Sequence, residues 1–443
     1  VTRFRATASA LASLLLAACS GGPGTEAAGN PAAPVVLITV DTLRADRLGS
    51  YGARNVATPA MDALAREGSR FEYALAQVPI TLPSHAVILS GTYPMYHGVR
   101  DFTGTGVPPN VGLLAEAFAR QGYRTAAFVS AFVLDRSWGF GRGFETYDDH
   151  FDARQFETEN PGNIQRRADA TIDRSLAWLE GHSEGAQAAR PFFLWVHLFD
   201  PHSDYNPPEP FKTRYAGRLY DGEVAYTDSQ LARLFDDLRA RGLYDRSLIV
   251  LTSDHGESLG EHGEDEHGFF LYNSTLHVPL IIKPPRGRAA PRAVAQPVAT
   301  VDIAPTVLDL LGLRDPLSRQ FQGASLASLV LGRPAAAERP VYGETFYPHN
   351  SFGWAPLRSL TTRRYHYIEA PKPELYDVRA DVAQMTNLYS QRRAEAHALR
   401  EQLREIERRY PAKVTVEKPS LAPETLEKLK SLGYVAYSAP APA

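Results

Sequence analysis

Val35-Val36-Leu37-Ile38-Thr39-Val40-Asp41-Thr42 is an almost wholly apolar strand that ends abruptly in a carboxylate. Leu248-Ile249-Val250-Leu251-Thr252-Ser253-Asp254-His255-Gly256-Glu257 repeats the pattern and adds an imidazole. Strands this apolar are buried on both faces, as in a largely parallel sheet. Reactive groups at the carboxyl ends of such strands are where α/β folds place their sites. A carboxylate there is costly unless it is paired or bound to a metal. Taken singly, Asp41 or Asp254 reads equally well as a cap for a turn or helix. Taken together with His255 and a nearby hydroxyl, they form an oxygen and nitrogen set suited to a hard or borderline divalent ion.

The hydroxyl comes from Thr81-Leu82-Pro83-Ser84-His85. Pro83 pre-sets φ for a first helical turn and lacks only an N–H that such a turn cannot use. A helix is therefore predicted over Pro83–Leu89, with Thr81 beside its start, where unpaired N–H groups favour an anion. A divalent ion would lower the pKa of the Thr81 hydroxyl and polarise an ester. Ser84 competes as nucleophile, but one turn inside a helix its hydroxyl satisfies the backbone.

The chain has 443 residues, 44% of them hydrophobic, enough for one large folded domain and a smaller one. Its 47 basic residues are outnumbered by 50 acidic ones, for a formal charge of −3, which argues against a nucleic-acid polymer as partner. Arg3 and Arg5 precede an apolar stretch from Ala6 to Ala18 that is too short to span a bilayer. It ends Leu16-Ala17-Ala18-Cys19-Ser20, small residues before a cysteine as in the lipobox of bacterial lipoproteins. The expectation is a signal peptide over 1–19 and a lipid on Cys19. That lipid would anchor the protein to the bacterial cell envelope, facing the periplasm or outer membrane; an ordinary secretory signal is the alternative. Cys19 is the single cysteine, so no disulfide or thiolate ligand is expected. Residues 20–33 read as a flexible tether.

From residue 34 to about 334, strand-like and helix-like segments alternate, predicting a large mixed, mostly parallel sheet flanked by helices. Expected strands are Val35–Val40, Thr125–Val129, Phe192–Leu198, Leu248–Thr252 and Val278–Ile282. Expected helices are Thr58–Gly68, Val111–Arg120, Ile164–Leu179, Val224–Leu238 and Asp302–Leu311. Residues 335–410 read as a small antiparallel sheet closed by a helix from Ala394 to Arg409. Residues 411–443 read as an extended tail with a short helix near Pro423–Leu432, whose Leu432, Tyr434 and Val435 dock on the body.

In combination these motifs resemble the sulfatase-like branch of the alkaline phosphatase superfamily. The nucleophile signature of sulfatases is Cys or Ser, any residue, Pro, any residue, Arg, then a helix closing in Leu-Thr/Ser-Gly. Here it reads Thr81-Leu82-Pro83-Ser84-His85-Ala86-Val87-Ile88-Leu89-Ser90-Gly91. Val40-Asp41-Thr42-Leu43-Arg44, Ser253-Asp254-His255-Gly256-Glu257, Phe199-Asp200-Pro201-His202 and Glu374-Leu375-Tyr376-Asp377 match further landmarks, and the likeness spans about 34 to 390. The resemblance implies Asp41, Thr81, Asp254 and His255 as metal ligands and His202 as a substrate-facing group. It sets His267 where sulfatases offer a substrate-binding lysine, although the acidic loop around it reads as plainly solvated. Asp200, His202 and His267 are the candidates for a second ion, as in the family's phosphatases. One divalent ion or two are implied, with Zn, Mn, Ca and Mg all compatible.

The departures shape the expected activity. Sulfatases convert Cys or Ser to formylglycine, and threonine resembles neither precursor. The signature Arg is His85 here, retained as a candidate catalytic group. Phe128-Val129-Ser130-Ala131-Phe132 stands where the family's Gly-Lys-x-His grips sulfate. The leading expectation is a metal-dependent hydrolase of phosphate mono- or diesters acting through a phosphothreonine, with His202 and His267 handling protons or phosphoryl oxygens. A sulfuric ester hydrolase without formylglycine and a phosphoglycerol- or phosphoethanolamine-type transferase are the alternatives. The substrate would be a small-molecule, lipid or glycan ester. Loops 92–110, 138–160 and 203–220 are expected to shape its pocket, with Arg358 and Glu344 reaching the cleft.

Overall fold

The computed structural model describes Val1 and residues 32–102, 106–152, 164–181, 190–334 and 337–410. The expected signal peptide with Cys19, nearly all of the tether and the 411–443 tail lie outside the described residues. No helix among the described residues is long and apolar enough to cross a membrane.

The main sheet is built from β1 (Val35–Val40), β2 (Ser69–Leu75), β3 (Arg124–Phe128), β4 (Thr146–Asp148), β5 (Phe192–Leu198), β6 (Leu248–Ser253), β7 (His277–Lys283), β8 (Arg292–Val294) and β9 (Val298–Ala299). Its order is β4-β3-β5-β1-β6-β7-β2-β8, with β9 also on β2. The block from β4 to β6 is parallel. β7 runs antiparallel to both β6 and β2. β1 is therefore central, and its side chains divide between two cores. Val35 and Leu37 join one, with the helix Thr81–Ser90; Val36, Ile38 and Val40 join the other, with the helices Ala168–Glu180 and Leu219–Ala240.

Thr81–Ser90 is buried at every position, so it shows no polar face. It stops at Gly91, whose φ of 66° lets its N–H reach the Val87 carbonyl at 2.9 Å. The predicted start at Pro83 falls two residues late: Thr81 is the first helical residue, following the extended Ile80.

The second sheet is antiparallel and consists of β10 (Val341–Thr345), β11 (Leu357–Thr361), β12 (Tyr365–Glu369) and β13 (Glu374–Asp377), in that order. The amphipathic helix Arg393–Arg409 covers β11 and β12 with Ala396, Leu399 and Leu403. A hydrogen bond of 2.8 Å from the Glu344 N–H to the Gln77 carbonyl ties this sheet to the segment after β2.

Candidate active site

β1 and β6 lie in register, Val40 opposite Ser253, so Asp41 and Asp254 leave the sheet side by side. The turn after Asp41 is locked from several directions. The Asp41 N–H reaches the Leu198 carbonyl at 2.8 Å, and the Leu43 N–H reaches Ser253 Oγ at 3.0 Å. Thr42, at a positive φ of 52°, donates to the Pro201 carbonyl and accepts from the Tyr220 hydroxyl. Into the space above comes the first residue of the buried helix. Thr81 Oγ1 lies 3.4 and 3.5 Å from the two Asp41 oxygens and 3.3 Å from His255 Nε2.

An oxygen of Asp41, an oxygen of Asp254 and a nitrogen of His255 lie within 4.8 Å of one another, and all three residues are fully buried. His255 Nδ1 donates to the Gly256 carbonyl at 2.9 Å, which leaves the Nε2 lone pair facing the carboxylates. Asp254 Oδ1 accepts its neighbour's N–H, whereas Oδ2 is buried without a hydrogen-bond partner. Burial and the nearby Asp41 push the Asp254 carboxyl well above the usual range. Burial acts the same way on Asp41, but His197, whose Nε2 lies 3.5 Å from Oδ2, and the neighbouring His202 outweigh it and hold Asp41 low. Burial also keeps His255 neutral. Two carboxylates, one of them with an orphan oxygen, facing a neutral imidazole lack a countercharge, and a divalent cation fits that need.

The other predicted residues are distributed as follows. Ser84 Oγ donates to the Asp254 carbonyl at 2.6 Å, as expected for a hydroxyl serving the backbone. His202 and His267 both line a cavity of about 150 Å³ that opens onto Thr81 and Asp41, with their rings 5.2 Å apart. His267 Nδ1 bonds Glu257 at 2.8 Å. Burial would lower its pKa, but the Glu257 charge and hydrogen bond bring it up to about 9.

His85 does not line the cavity. Its Nδ1 bonds the Thr81 carbonyl at 2.9 Å and its Nε2 meets Thr39 Oγ1 at 3.0 Å, where Trp195 Nε1 also donates. With both nitrogens engaged inside the core and the ring kept neutral by burial, at a pKa of about 3, His85 braces the Thr81 backbone and stays out of the cavity. Asp200 is also turned away. Its Oδ2 accepts the Ala168 N–H at 2.9 Å and caps the helix Ala168–Glu180, so it does not join His202 and His267 in a second cation site. Glu344 is buried against the Tyr342 hydroxyl and Arg100, and Arg358 pairs with Glu407, so neither lines the cavity.

Sequence reasoning missed His197. On β5, opposite Thr39, its Nδ1 accepts the Ser130 N–H at 3.2 Å, which aims Nε2–H at Asp41 Oδ2, 3.5 Å away. The available signal was a single imidazole inside an otherwise apolar, doubly buried strand. A larger cleft of about 610 Å³ surrounds Lys283, Arg239 and Tyr244 at the far end of β7. Arg239 pairs with Glu67, Arg286 with Asp245, and Lys283 donates to the Tyr244 carbonyl; among the described residues no cluster of three metal-competent side chains lies there.

The chain is similar to known proteins. Residues 34–313 match the family described as Sulfatase, and 260–409 match the one described as N-sulphoglucosamine sulphohydrolase, C-terminal. The chain is 26% identical to an ulvan-active sulfatase of Formosa agariphila, over 88% of this chain and 83% of that protein. It is 23% identical to an N-acetylglucosamine-6-O-sulfatase of Bacteroides thetaiotaomicron, over 86% of each. Among solved structures, the phosphonate monoester hydrolase of Agrobacterium radiobacter superposes with a TM-score of 0.73 at 21% identity, covering 85% of this chain and 96% of that one. With the family match spanning well over half of the residues, the chain belongs to the sulfatase family and is a hydrolase of ester bonds.

Proposed function

We propose that this hydrolase cleaves phosphate mono- or diesters with Thr81 as the nucleophile. The observation that carries the reading is the placement of an unmodified threonine hydroxyl within 3.5 Å of Asp41 and His255 at the start of a helix. Asp41, Asp254, His255 and Thr81 Oγ1 would hold one divalent ion, whose charge lowers the hydroxyl pKa and draws electron density from the ester. Thr81 Oγ1 gives its proton to water in the cavity and forms a bond to phosphorus as the bond to the leaving oxygen breaks. The first-turn N–H groups face the phosphoryl oxygens. His202 and His267 line the same cavity and supply the proton that the departing oxygen takes up. Water then attacks the phosphothreonine, releasing phosphate or a phosphate monoester and restoring the hydroxyl. His85 holds the Thr81 carbonyl throughout.

A sulfuric ester is the second reading, favoured by the sulfatases among the relatives. Rates on aryl phosphate, phosphate diester, phosphonate ester and sulfate ester with metal-loaded protein separate the two. A phosphorus ester should be fastest, and Thr81→Ala should lower that rate by roughly 10³-fold or more. Faster turnover of sulfate than of every phosphorus ester would overturn the assignment. Cellular placement belongs to the same proposal: a lipid on Cys19 tethers the enzyme to the cell envelope. Labelled fatty acid should enter the wild type and be absent from Cys19→Ser.

A further inference from the structure

Large rings exposed to water are unusual when they cluster beside a reaction cavity. Phe352 and Trp354 are 53% and 57% exposed. They do not stand alone. Phe269 stacks on Phe352 with centroids 5.8 Å apart and lies 6.0 Å from Trp354; Phe352 and Trp354 are 5.6 Å apart. Tyr347 meets Phe269 edge-on at 5.3 Å. Phe269 and Tyr347 are also walls of the cavity that opens onto Thr81, so one continuous aromatic surface runs from the reacting hydroxyl to the solvent.

The surface is held in place. It is carried by the short helix Tyr347–Phe352, whose Asn350 bonds Asp101, while Arg100 lies over the Phe346 ring at 4.0 Å and pairs with Glu344. The helix ends at Gly353, with a φ of 70°, and the chain turns back so that the Trp354 carbonyl accepts from His349 Nδ1 at 2.7 Å. A braced shelf is more useful to a ligand than a mobile one, because little ordering entropy remains to be lost.

The cavity chemistry narrows the occupant. Its remaining walls include Ile80, Phe102, Val133 and Phe199, and among the described residues no Lys or Arg lines it. Away from Asp41, Thr81, His202 and His267 at its floor, the polar groups on these walls are the Glu266 carboxylate and the Tyr347 hydroxyl, few for a sugar ring. The exposed Glu266 carboxylate on the rim repels a leaving group that carries its own negative charge.

We propose that Phe269, Tyr347, Phe352 and Trp354 form the leaving-group subsite and select esters of uncharged, planar aromatic alcohols. This deepens the reading of the Thr81 cavity as an ester site and rests on it. The test is calorimetric and needs no turnover. Metal-loaded wild type is titrated with methylphosphonate and with 2-naphthylphosphonate, which share a head group and differ in the apolar ring. The naphthyl compound should bind about tenfold tighter or better, the scale of one or two ring contacts. In Phe352→Ala/Trp354→Ala, both exposed positions that the core does not need, the ratio should fall toward one. Equal affinities in the wild type, or an undiminished ratio in the double variant, would overturn the subsite. Concentration-dependent self-association abolished by the same changes, without ring selectivity, would assign the shelf to a second copy and overturn it equally. Selective naphthyl binding with no ester of phosphorus or sulfur turned over would instead leave the subsite standing and remove the proposed function.

Discussion

Asp41 faces the candidate cation position with one side and His197 with the other, and the second contact is what orients it. An imidazole whose tautomer is fixed by the Ser130 N–H can only donate toward that carboxylate. Outer contacts of this kind commonly carry 10–100-fold in metal affinity. His197→Phe, which keeps the ring volume, should therefore weaken binding of a divalent ion by about tenfold or more in a calorimetric titration. Unchanged affinity would reduce His197 to packing. This partner also shows why the site was only partly legible. Asp41, Thr81, Asp254 and His255 announce themselves because each interrupts an apolar run or opens a helix. His197 and Thr39 sit inside such runs, and their roles exist only across neighbouring strands. His85 misled for the same reason: its position in the nucleophile motif suggested chemistry, while its ring nitrogens are taken by the Thr81 carbonyl and the buried Thr39 hydroxyl.

Elements position these groups, and two of them make that role measurable. Asp200 is a cap donated from outside its helix, so Asp200→Ala should cost about 1–2 kcal/mol in denaturant unfolding, as lost caps do. The stoichiometry of bound metal should stay the same; loss of an ion would restore Asp200 as a ligand. Gly91 ends the helix Thr81–Ser90 where an added Cβ would come within 2.6 Å of Phe321 in a left-handed backbone. Gly91→Ala should lower stability by about 1–3 kcal/mol through strain and overpacking, and a thermal melt checks it. Central strands and long helices were readable because their apolar residues are continuous or periodic. β2 was not, although Arg70-Phe71-Glu72-Tyr73 alternates as a half-exposed strand does, because the alternation is short and its pairing with β7 shifts between Phe71 and Ala74. The helix Tyr347–Phe352 escaped notice because one and a half turns leave no period to detect. Loops 92–110, 138–160 and 203–220, expected to shape the pocket, do not include this helix; 203–220 is described throughout and the other two in part.

For the molecule as a whole, stability should depend on pH through a buried acid beside the site. Glu223 accepts the Asn206 N–H at 2.7 Å and so steadies the segment that follows His202, while its second oxygen is buried without a partner. Burial, with Asp200 adding to it, raises its pKa from 4.5 to about 8. A carboxyl raised on folding binds its proton more tightly in the native state. Its stabilisation is complete below the ordinary carboxylate pKa and is lost as pH climbs through the raised one. Glu223→Gln keeps the acceptor and cannot ionise. The variant should match the wild type near pH 4 and exceed it by on the order of a few kcal/mol near pH 9 in urea titrations. Parallel curves for the two proteins would mean that water or a cation already neutralises Glu223. The adjacency of β1 and β6 has a consequence for biosynthesis. A nascent chain that has emerged as far as Asp41 and Thr81 holds only half a cation cage, and the missing half is translated long afterwards. A product truncated before β6 lacks Asp254 and His255, two of the four groups proposed to hold the ion, so the proposed site is completed only late in synthesis.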